Sequence, residues 1–279
     1  MPDTTRPDAT RQKTSPSYLL PAEDTDFMLN RRELRGLRFA LEYSKADLLL
    51  RDWHIRSTII CFGSARTPSP EQVEALRATV KTGDAAAEAA ATRAEKLSRF
   101  YQEARAFGRL VSERGGALAP VDGWRDNVIA TGGGPGIMEA ANRGAMEAGA
   151  PTIGFNITLQ HEQEPNAYST PELTFRFHYF AMRKMHLAMR ARALAVFPGG
   201  FGTMDELFEI LTLEQTGKAK ASPVVLVGKD YWSRVINCDV MLEYGVISPA
   251  DTNLFEIVDT AEEAWESLQR RGLQVPAAL

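Results

Sequence analysis

The stretch that specifies the fold is NVIATGGGPGIMEAANRGAMEAGAPTIGF, residues 127–155. Its first five residues form an apolar run that predicts a buried strand, and a glycine-rich loop follows them. The segment IMEAANRGAMEAG, residues 137–149, has the composition of a helix. PTIGF, residues 151–155, returns to strand character. A strand, a glycine-rich turn, a helix and a second strand together predict one βαβ unit.

Apolar runs of this kind alternate with helical segments over most of the chain. The runs lie near Ile59 and at residues 127–131, 151–155, 173–177, 193–197, 223–227 and 254–258. Short apolar strands between helices indicate a parallel sheet that is covered on both faces, with right-handed crossovers. We therefore predict an α/β fold, a Rossmann-like doubly wound parallel sheet of about seven strands, with a helical N-terminal extension.

The N-terminal part departs from this rhythm. Residues 1–25 are rich in Pro, Thr, Asp and Arg and predict a disordered tail. Leucines recur at helical intervals between Asn30 and Trp53, which predicts an amphipathic helix. We expect three parts, namely a tail over residues 1–25, a helical extension over 26–56 and an α/β domain over 57–279.

Residues 70–114 are rich in Ala, Glu and Arg and are broken only at residues 81–84, KTGD. Alanine is the best helix former, whereas Gly83 interrupts the helical pattern. This stretch predicts either two helices or one interrupted long helix.

The composition excludes several classes of protein. With 32 Lys and Arg against 36 Asp and Glu, the net charge is −4, so the chain as a whole does not attract nucleic acid or anionic lipid. Two cysteines cannot form a disulfide framework or a four-cysteine zinc site. No apolar run approaches the roughly 20 residues that span a bilayer, and the first 20 residues lack the apolar segment of a signal peptide. We expect a soluble, cytoplasmic protein with no nucleic-acid partner and no membrane partner.

Two glycine-rich loops follow predicted strands and precede predicted helices, TGGGPG at residues 131–136 and PGGFGT at residues 198–203. Glycines let backbone N–H groups approach an anion, and the start of a helix favours negative charge. Neither loop matches the G-x-G-x-x-G fingerprint, and the chain has no G-x-x-x-x-G-K-[ST] motif, which excludes a dinucleotide cofactor and an NTPase. One such loop could be a tight turn alone, but two on one sheet favour a phosphate-bearing ligand.

Glu206 follows the second glycine loop and has two interpretations. Thr203-Met204-Asp205-Glu206 fits a capping box, with Thr203 as the N-cap and Glu206 at the third helical position. If an anion binds against this turn, Glu206 should instead point towards a less charged part of the ligand, such as a sugar.

The segment RKMHLAMRAR, residues 183–192, is basic and contains no acid. Arg183, His186 and Arg190 are spaced i, i+3 and i+7, which predicts that they share one helical face. That face could simply be solvated. In a chain of net negative charge, a basic cluster that opens towards two glycine loops favours an anion pocket.

The other polar candidates carry less information. The four histidines, His54, His161, His178 and His186, have no metal-ligand spacing, so no metal site is predicted. No serine occupies a G-x-S-x-G elbow. Residues 159–168, LQHEQEPNAY, form a polar stretch after a strand, which could fold over a site or could be an ordinary connection.

These motifs together resemble the LOG ("Lonely guy") family, whose members are often labelled lysine decarboxylase-like. PGGFGTMDE, residues 198–206, matches the family signature PGGxGTxxE. MRKMH and the upstream GGGPGIMEAANRGA occupy the places of the family's Arg-Lys helix and first glycine loop. The resemblance runs from about Thr58 to Tyr231. The family's common His-Glu pair is Ala181-Met182 here, and FHYFAMRKMH resembles a longer bacterial branch.

The resemblance implies a nucleotide-binding catalytic domain that cleaves the N-glycosidic bond of a purine nucleoside 5′-monophosphate. Adenosine monophosphate (AMP) or a cytokinin riboside monophosphate would yield the free base and ribose 5-phosphate. Arg183 and Glu206 align with the family's catalytic pair. Its phosphate-binding loop aligns with Gly199, Gly200, Gly202 and Thr203. Further candidate substrate-binding residues are Gly63, Ser64, Gly133, Gly134, Met138 and Lys184.

The resemblance also implies a small-molecule nucleotide as the partner, no cofactor, and a homodimer or an assembly of dimers. Two other functions stay open. One is a non-catalytic nucleotide or cofactor carrier with the same fold. The other is a decarboxylase that depends on pyridoxal phosphate, for which Lys184 is the available lysine and for which no independent motif is present.

Overall fold

In the residues that the structure describes, seven parallel strands form one sheet with the order β4-β3-β2-β1-β5-β6-β7. The strands are β1 (Thr58–Phe62), β2 (Val128–Thr131), β3 (Ile153–Ile157), β4 (Thr174–Phe177), β5 (Ala191–Val196), β6 (Val224–Val227) and β7 (Phe255–Val258). Each neighbouring pair is parallel. Every predicted apolar run forms one of these strands, and the predicted doubly wound α/β fold is confirmed.

This computed structural model describes residue 13 and residues 15–158, 164–218 and 222–276. The chain divides into two compact units, Met1–Lys45 and Ala46–Leu279. Residues 1–12 and 14 of the predicted tail lie outside the described residues. Within 15–25, a 3₁₀ turn occupies Pro16–Tyr18. The predicted boundaries at residues 25/26 and 56/57 stay predictions.

Helices precede the sheet and connect its strands. In the described residues they are α1 (Thr25–Asn30), α2 (Arg35–Asp52), α3 (Pro70–Thr79), α4 (Ala85–Arg114), α5 (Ile137–Glu147), α6 (Phe180–Met189), α7 (Phe201–Gln215), α8 (Lys229–Val235), α9 (Cys238–Glu243) and α10 (Ala261–Arg270). Short 3₁₀ helices occupy Arg32–Leu34, Pro171–Leu173 and Pro249–Asn253. None of the described helices has the length and apolar character needed to cross a membrane.

The alternative for residues 70–114 is settled in favour of two helices. Ser69 caps α3 in a reciprocal capping box with Gln72. The Asp84 side chain accepts a hydrogen bond from Ala87 N and caps α4. Helix α3 ends at Thr79, where Val80 is the C-cap, and Gly83 lies in the connection with a φ of 89°, a left-handed conformation that glycine adopts without steric cost.

Two apolar cores lie on opposite faces of the sheet, because side chains alternate along each strand. In β1, Ile60 and Phe62 belong to one core, together with residues of α6, α7 and α8. Ile59 and Cys61 belong to the other core, together with residues of α4, α5 and α10. Helices therefore cover both faces of the sheet, as the apolar strands predict.

The strand order reverses its direction between β1 and β5. Strands β2 to β4 extend the sheet on one side of β1, whereas β6 and β7 extend it beyond β5 on the other side. In open α/β sheets, the crevice for ligands lies at this switch point, outside the carboxyl ends of the strands. The loops after Phe62 and after Val196 are placed there.

Candidate functional site

A cavity of about 580 Å³ opens at the carboxyl ends of β1 and β5. It lies at the switch point of the sheet, and its volume falls within the range of small-molecule sites. Its walls come from the loop after β1, the start of α5, helix α6 and the start of α7. The lining residues are Phe62, Gly63, Ser64, Ala65, Arg66, Gly132, Met138, Arg183, Gly200, Phe201, Gly202, Thr203 and Glu206.

Ser64 joins the two glycine loops through its backbone. Its N–H donates to the carbonyl of Pro198 at 3.0 Å, and its carbonyl accepts from Ile137 N at 3.1 Å. A Cβ atom on Gly63 would lie 2.6 Å from Ile137, and one on Gly136, whose φ is 70°, would lie 2.3 Å from Ser64 O. Glycine at these positions lets the loop after β1 and the two glycine-rich loops pack closely against one another.

Helix α7 begins earlier than the capping-box interpretation requires, so that interpretation is wrong. Gly200 is the N-cap and Phe201 the first helical residue. Thr203 and Glu206 are the third and sixth residues of the helix, and its first turn contains no acid. The first residues of α7 line the cavity and this turn contains no carboxylate, so the positive end of the helix favours an anion there.

Gly199 lies behind this turn and keeps it compact. A Cβ atom at this position would lie 2.1 Å from Thr203 Oγ1, so only glycine fits. Its carbonyl accepts a hydrogen bond from Tyr231 Oη at 2.6 Å. Gly199 therefore shapes the loop, whereas Gly200, Gly202 and Thr203 line the cavity.

Arg183 and Glu206 form a buried ion pair at the cavity. Arg183 Nη2 donates to Glu206 Oε1 at 2.9 Å, and only 14% and 6% of the two side chains are exposed. Within the described part of the chain, the buried Nε of Arg183 has no hydrogen-bond partner. The guanidinium carbon lies 5.3 Å from the ring centroid of Phe180. The pair thus places a hydrogen-bonded guanidinium and carboxylate in the wall of the cavity.

Burial raises the pKa of Glu206 above its ordinary value. The charge and hydrogen bond of Arg183 and the charge of Lys184 act in the opposite direction and lower it, but burial has the larger effect. A carboxyl group whose pKa is shifted towards neutrality beside a cavity is suited to proton transfer.

Lys184 points away from the cavity that Arg183 lines. Its Nζ pairs with Asp205 at 2.8 Å and with Glu209 at 2.9 Å. Burial lowers the pKa of Lys184, but the hydrogen bonds to Asp205 and Glu209 outweigh burial, so the net shift is upward. Lys184 instead lines a smaller pocket of about 40 Å³ on the other side of Glu206.

The predicted basic cluster does not form as one face. Helix α6 ends at Met189, Arg190 is its C-cap, and Arg192 lies exposed in β5. Arg190 pairs with Asp47 at 2.7 Å, and His186 is buried beside Phe155 and Phe177. The prediction failed because the helix gives way to a strand after 189, and of the cluster only Arg183 lines the cavity.

The first glycine loop lines the cavity only near its two ends. Gly132 and Met138 line the cavity, and a Cβ atom on Gly132 would lie 2.9 Å from Met138 Sδ. Gly133 and Gly134 lie behind this wall. Gly133 N donates to Thr131 Oγ1, and Gly134 O accepts from Asn166 Nδ2 at 3.0 Å.

Asn166 and Asn142 form a buried polar network behind this loop. Asn166 N donates to Gly133 O at 2.8 Å, and Asn166 Nδ2 also donates to Asn142 Oδ1 at 3.0 Å. Asn142 in turn accepts from Thr131 and donates to Thr152. The 164–168 end of the polar stretch thus holds the glycine loop. Residues 159–163, the part of the stretch predicted as a possible cover, lie outside the described residues.

The motif search did not single out Asn142, Asn166 or Arg66. The polar pair Asn142 and Asn166 gives no motif, because its role depends on contacts between distant segments. Arg66 lines the cavity, and the available signal was its place in GSAR directly after the first strand. In the described residues, no group of three metal-ligating side chains is present, and His161 lies outside them.

Comparison with known proteins confirms the resemblance to the LOG family. Residues 138–268 match a family model described as "Possible lysine decarboxylase". A "Probable cytokinin riboside 5'-monophosphate phosphoribohydrolase" of Oryza sativa subsp. japonica is 28% identical over 152 residues, which cover 51% of this chain and 68% of that protein. An Arabidopsis thaliana cytokinin riboside 5'-monophosphate phosphoribohydrolase is 26% identical over 149 residues, 52% of this chain and 64% of its own. Both names include LOG.

Two solved structures are similar to most of the chain at low identity. A molybdenum cofactor binding protein of Rippkaea orientalis has a TM-score of 0.44 at 18% identity, covering 77% of this chain and 97% of its own. The Moco carrier protein of Chlamydomonas reinhardtii has a TM-score of 0.44 at 19% identity, covering 77% and 98%.

Proposed function

We propose that this chain, a relative of the LOG phosphoribohydrolases, hydrolyses the N-glycosidic bond of a purine nucleoside 5′-monophosphate. The observation that carries the proposal is the buried Arg183–Glu206 pair, which lies in the same cavity as the N-terminus of α7. The pocket contains both a carboxylate and the N-terminus of a helix, which can bind an anion. This combination suits a substrate that has a phosphate at one end and a reacting sugar at the other. AMP and cytokinin riboside monophosphates are the substrates to consider, the latter from the names of the relatives.

In the proposed reaction, water adds across the bond between C1′ of the ribose and the base nitrogen. As that bond breaks, its electron pair leaves with the base and positive charge develops on the ribose. The Glu206 carboxylate stabilises this charge and accepts a proton from the attacking water. The hydroxyl group bonds to C1′, the departing base takes up a proton from solvent, and Glu206 releases its proton to solvent, so the products are the free base and ribose 5-phosphate.

Arg183 has two functions in this scheme. Its Nη2 holds Glu206 in place at 2.9 Å, and the side chain lines the cavity, where its positive charge faces the substrate. The loops that Ser64 joins position the rest of the nucleotide, so binding energy from the phosphate orients the sugar towards Glu206.

A panel of nucleoside monophosphates tests the proposal directly. The protein is incubated with each nucleotide, and free base and ribose 5-phosphate are measured together. Equal amounts of both products from a purine monophosphate are expected. Tight binding with no base release would contradict the proposal and favour the carrier function.

A decarboxylase dependent on pyridoxal phosphate is the less supported alternative. Such an enzyme needs a lysine amine that attacks the cofactor as a neutral group. Lys184 is held by two carboxylates that raise its pKa, and it points into a different pocket from Arg183. We expect purified protein mixed with pyridoxal phosphate to develop no visible absorption band, and a band that disappears in Lys184→Met would revive this alternative.

The assembly and the location of the protein stay predictions. We propose a homodimer or an assembly of dimers in the cytoplasm. Light scattering coupled to size-exclusion chromatography tests the first point, and a monomer over the whole concentration range would contradict it.

A further inference from the structure

Three charged side chains line the cavity, namely Arg66, Arg183 and Glu206. Arg183 and Glu206 compensate each other at 2.9 Å. Among the described residues, the guanidinium of Arg66 takes part in no ion pair. The cavity therefore contains one uncompensated positive side chain, and it belongs to the loop after β1.

The backbone at Arg66 is fixed although its side chain is exposed. Arg66 N donates to Ser64 Oγ at 3.0 Å, and Ser64 N is bound to Pro198 O. Two residues after the buried Thr67, Ser69 caps helix α3. Arg66 thus extends from an anchored turn between two ordered elements, and its guanidinium is free to form the bidentate contact with a phosphate that arginine favours.

A phosphate bound at Arg183 would meet a like charge. The Glu206 carboxylate contacts Arg183 directly, and both side chains are largely buried, where repulsion between charges is poorly screened. A phosphate near Arg66 faces Gly200, Gly202 and Thr203 in the cavity wall, and the first turn of α7 contains no acid. The distribution of charge favours the anion on the Arg66 side of the cavity.

We propose that Arg66 binds the phosphate of the substrate and is the residue by which this protein distinguishes a nucleoside monophosphate from a nucleoside. Arg183 and Glu206 then contact the ribose and the base of the substrate. This inference rests on the proposed function, since it assigns the two ends of the nucleotide to opposite sides of one site.

Variants at Arg66 test this assignment by binding and by kinetics. Calorimetry measures the Kd of ribose 5-phosphate, AMP and adenosine for wild type, Arg66→Gln, Arg66→Lys and Arg183→Gln. In Arg66→Gln we expect at least about a tenfold increase in the Kd of ribose 5-phosphate and in the KM for AMP, because a charged hydrogen bond is lost. The kcat and the Kd of adenosine should change little. Arg66→Lys should be intermediate, and Arg183→Gln should lose kcat but keep its affinity for ribose 5-phosphate.

The matched control is Arg93→Gln, which removes the same charge from an exposed position of α4 that does not line the cavity. It should leave every constant unchanged. An unchanged Kd of ribose 5-phosphate in Arg66→Gln would overturn the inference, and so would an equal loss for adenosine and AMP, or a loss in Arg183→Gln alone.

The binding measurements separate this inference from the proposed function. If wild-type protein binds AMP and ribose 5-phosphate but releases no base, the proposed hydrolysis is wrong, and the Arg66 variants still decide which residue holds the phosphate. If wild type hydrolyses AMP and Arg66→Gln matches it in KM, the hydrolysis stands and the role of Arg66 is refuted.

Discussion

Arg183 Nη2 lies 2.9 Å from Glu206 Oε1, and this contact joins α6 to α7 beside the cavity. Neither side chain can be removed without leaving the other charge buried and unpaired, which is strongly unfavourable. The pair therefore holds both groups in one geometry before any ligand arrives. Such preorganisation is the usual basis of electrostatic catalysis.

Replacing Glu206 by Gln should abolish turnover while leaving nucleotide binding in place. The amide keeps the shape of the side chain but cannot stabilise positive charge on the ribose, so we expect kcat for AMP to fall by a factor of about 100 or more. Release of adenine and of ribose 5-phosphate measures turnover, and calorimetry measures binding of AMP. Glu209→Gln, one turn further along α7 and paired with Lys184, is the control and should retain activity. A Glu206→Gln protein that turns over at the wild-type rate would refute the assignment.

The pH dependence of the reaction should report the raised pKa of Glu206. The proposed mechanism uses the carboxylate, so kcat/KM should rise with pH as Glu206 ionises, with a midpoint above the ordinary glutamate pKa of about 4.3. The charge of Lys184 lowers this pKa, so Lys184→Met should move the midpoint to higher pH with a similar plateau. Lys96→Met, which removes an exposed lysine paired with Asp230, should leave the midpoint unchanged. A rate that falls with rising pH over this range would show that the protonated form is the active one.

The raised pKa of Glu206 should also make the free energy of unfolding depend on pH, in a direction that can be predicted. Folding raises the pKa of Glu206, so the folded chain retains this proton to a higher pH than the unfolded chain does. The free energy of unfolding then falls as pH rises through the folded pKa. Urea unfolding of wild type and of Glu206→Gln between pH 4 and pH 8 tests this. The other titratable groups are the same in both proteins, so a difference between the two pH profiles reports Glu206. We expect the wild type to lose more stability than the variant over this range, and parallel curves would contradict the raised pKa.

Much of the fold and part of the site could be predicted from the sequence, because both follow from local patterns. Apolar runs between helical segments located all seven strands, and glycines at strand ends located the cavity. The helix boundaries near the site were harder to predict. Thr203-Met204-Asp205-Glu206 satisfies the capping-box spacing, but the helix already begins at Phe201, with Gly200 as its N-cap. The same spacing fits residues inside a helix as well as residues at its start, so it does not locate the N-cap alone.

The basic segment shows a second limit of the same kind. The spacing of Arg183 and Arg190 predicts one helical face, but pairing of β5 with β1 from Ala191 onward ends the helix at Met189. Asp47, which is distant in sequence, then neutralises Arg190. Arg66 shows the opposite case. Its place in GSAR directly after the first strand is the local signal, but only the assembled cavity shows that its charge is uncompensated.

Close packing of α4 against α5 depends on two glycines. A Cβ atom on Gly144 would lie 1.9 Å from Arg105 O, and one on Gly108 would lie 2.2 Å from Ala141 O. Gly144→Ala should therefore force the helices apart and lower the free energy of unfolding by about 1–3 kcal/mol, measured with urea. Gly36→Ala is the control, because a Cβ atom there meets nothing within 4 Å, and it should be neutral or slightly stabilising. Equal stability of the two variants would refute the packing argument.

Asn166 should influence substrate affinity through the glycine loop that it holds. Its amide donates to Gly134 O and to Asn142, and its oxygen accepts from Tyr168 N and Ser169 N. Asn166→Asp keeps the acceptor and loses the side-chain donor, so the loop loses the hydrogen bond to Gly134 O and keeps only the backbone hydrogen bond from Asn166 N to Gly133 O, while the turn at 166–169 persists. We expect KM for AMP to rise several-fold with a smaller change in kcat, because the loop positions the nucleotide and does not touch the reacting bond.

The control for Asn166 must separate loss of stability from loss of positioning. Asn237 caps α9 through Val240 N at an exposed site, so Asn237→Ala should cost about 1 kcal/mol of stability without affecting KM. Steady-state kinetics at a temperature where both variants are fully folded makes the comparison. If both variants change KM equally, the effect of Asn166 is general destabilisation. A change confined to Asn166→Asp indicates that the buried asparagine network positions the loop for the substrate.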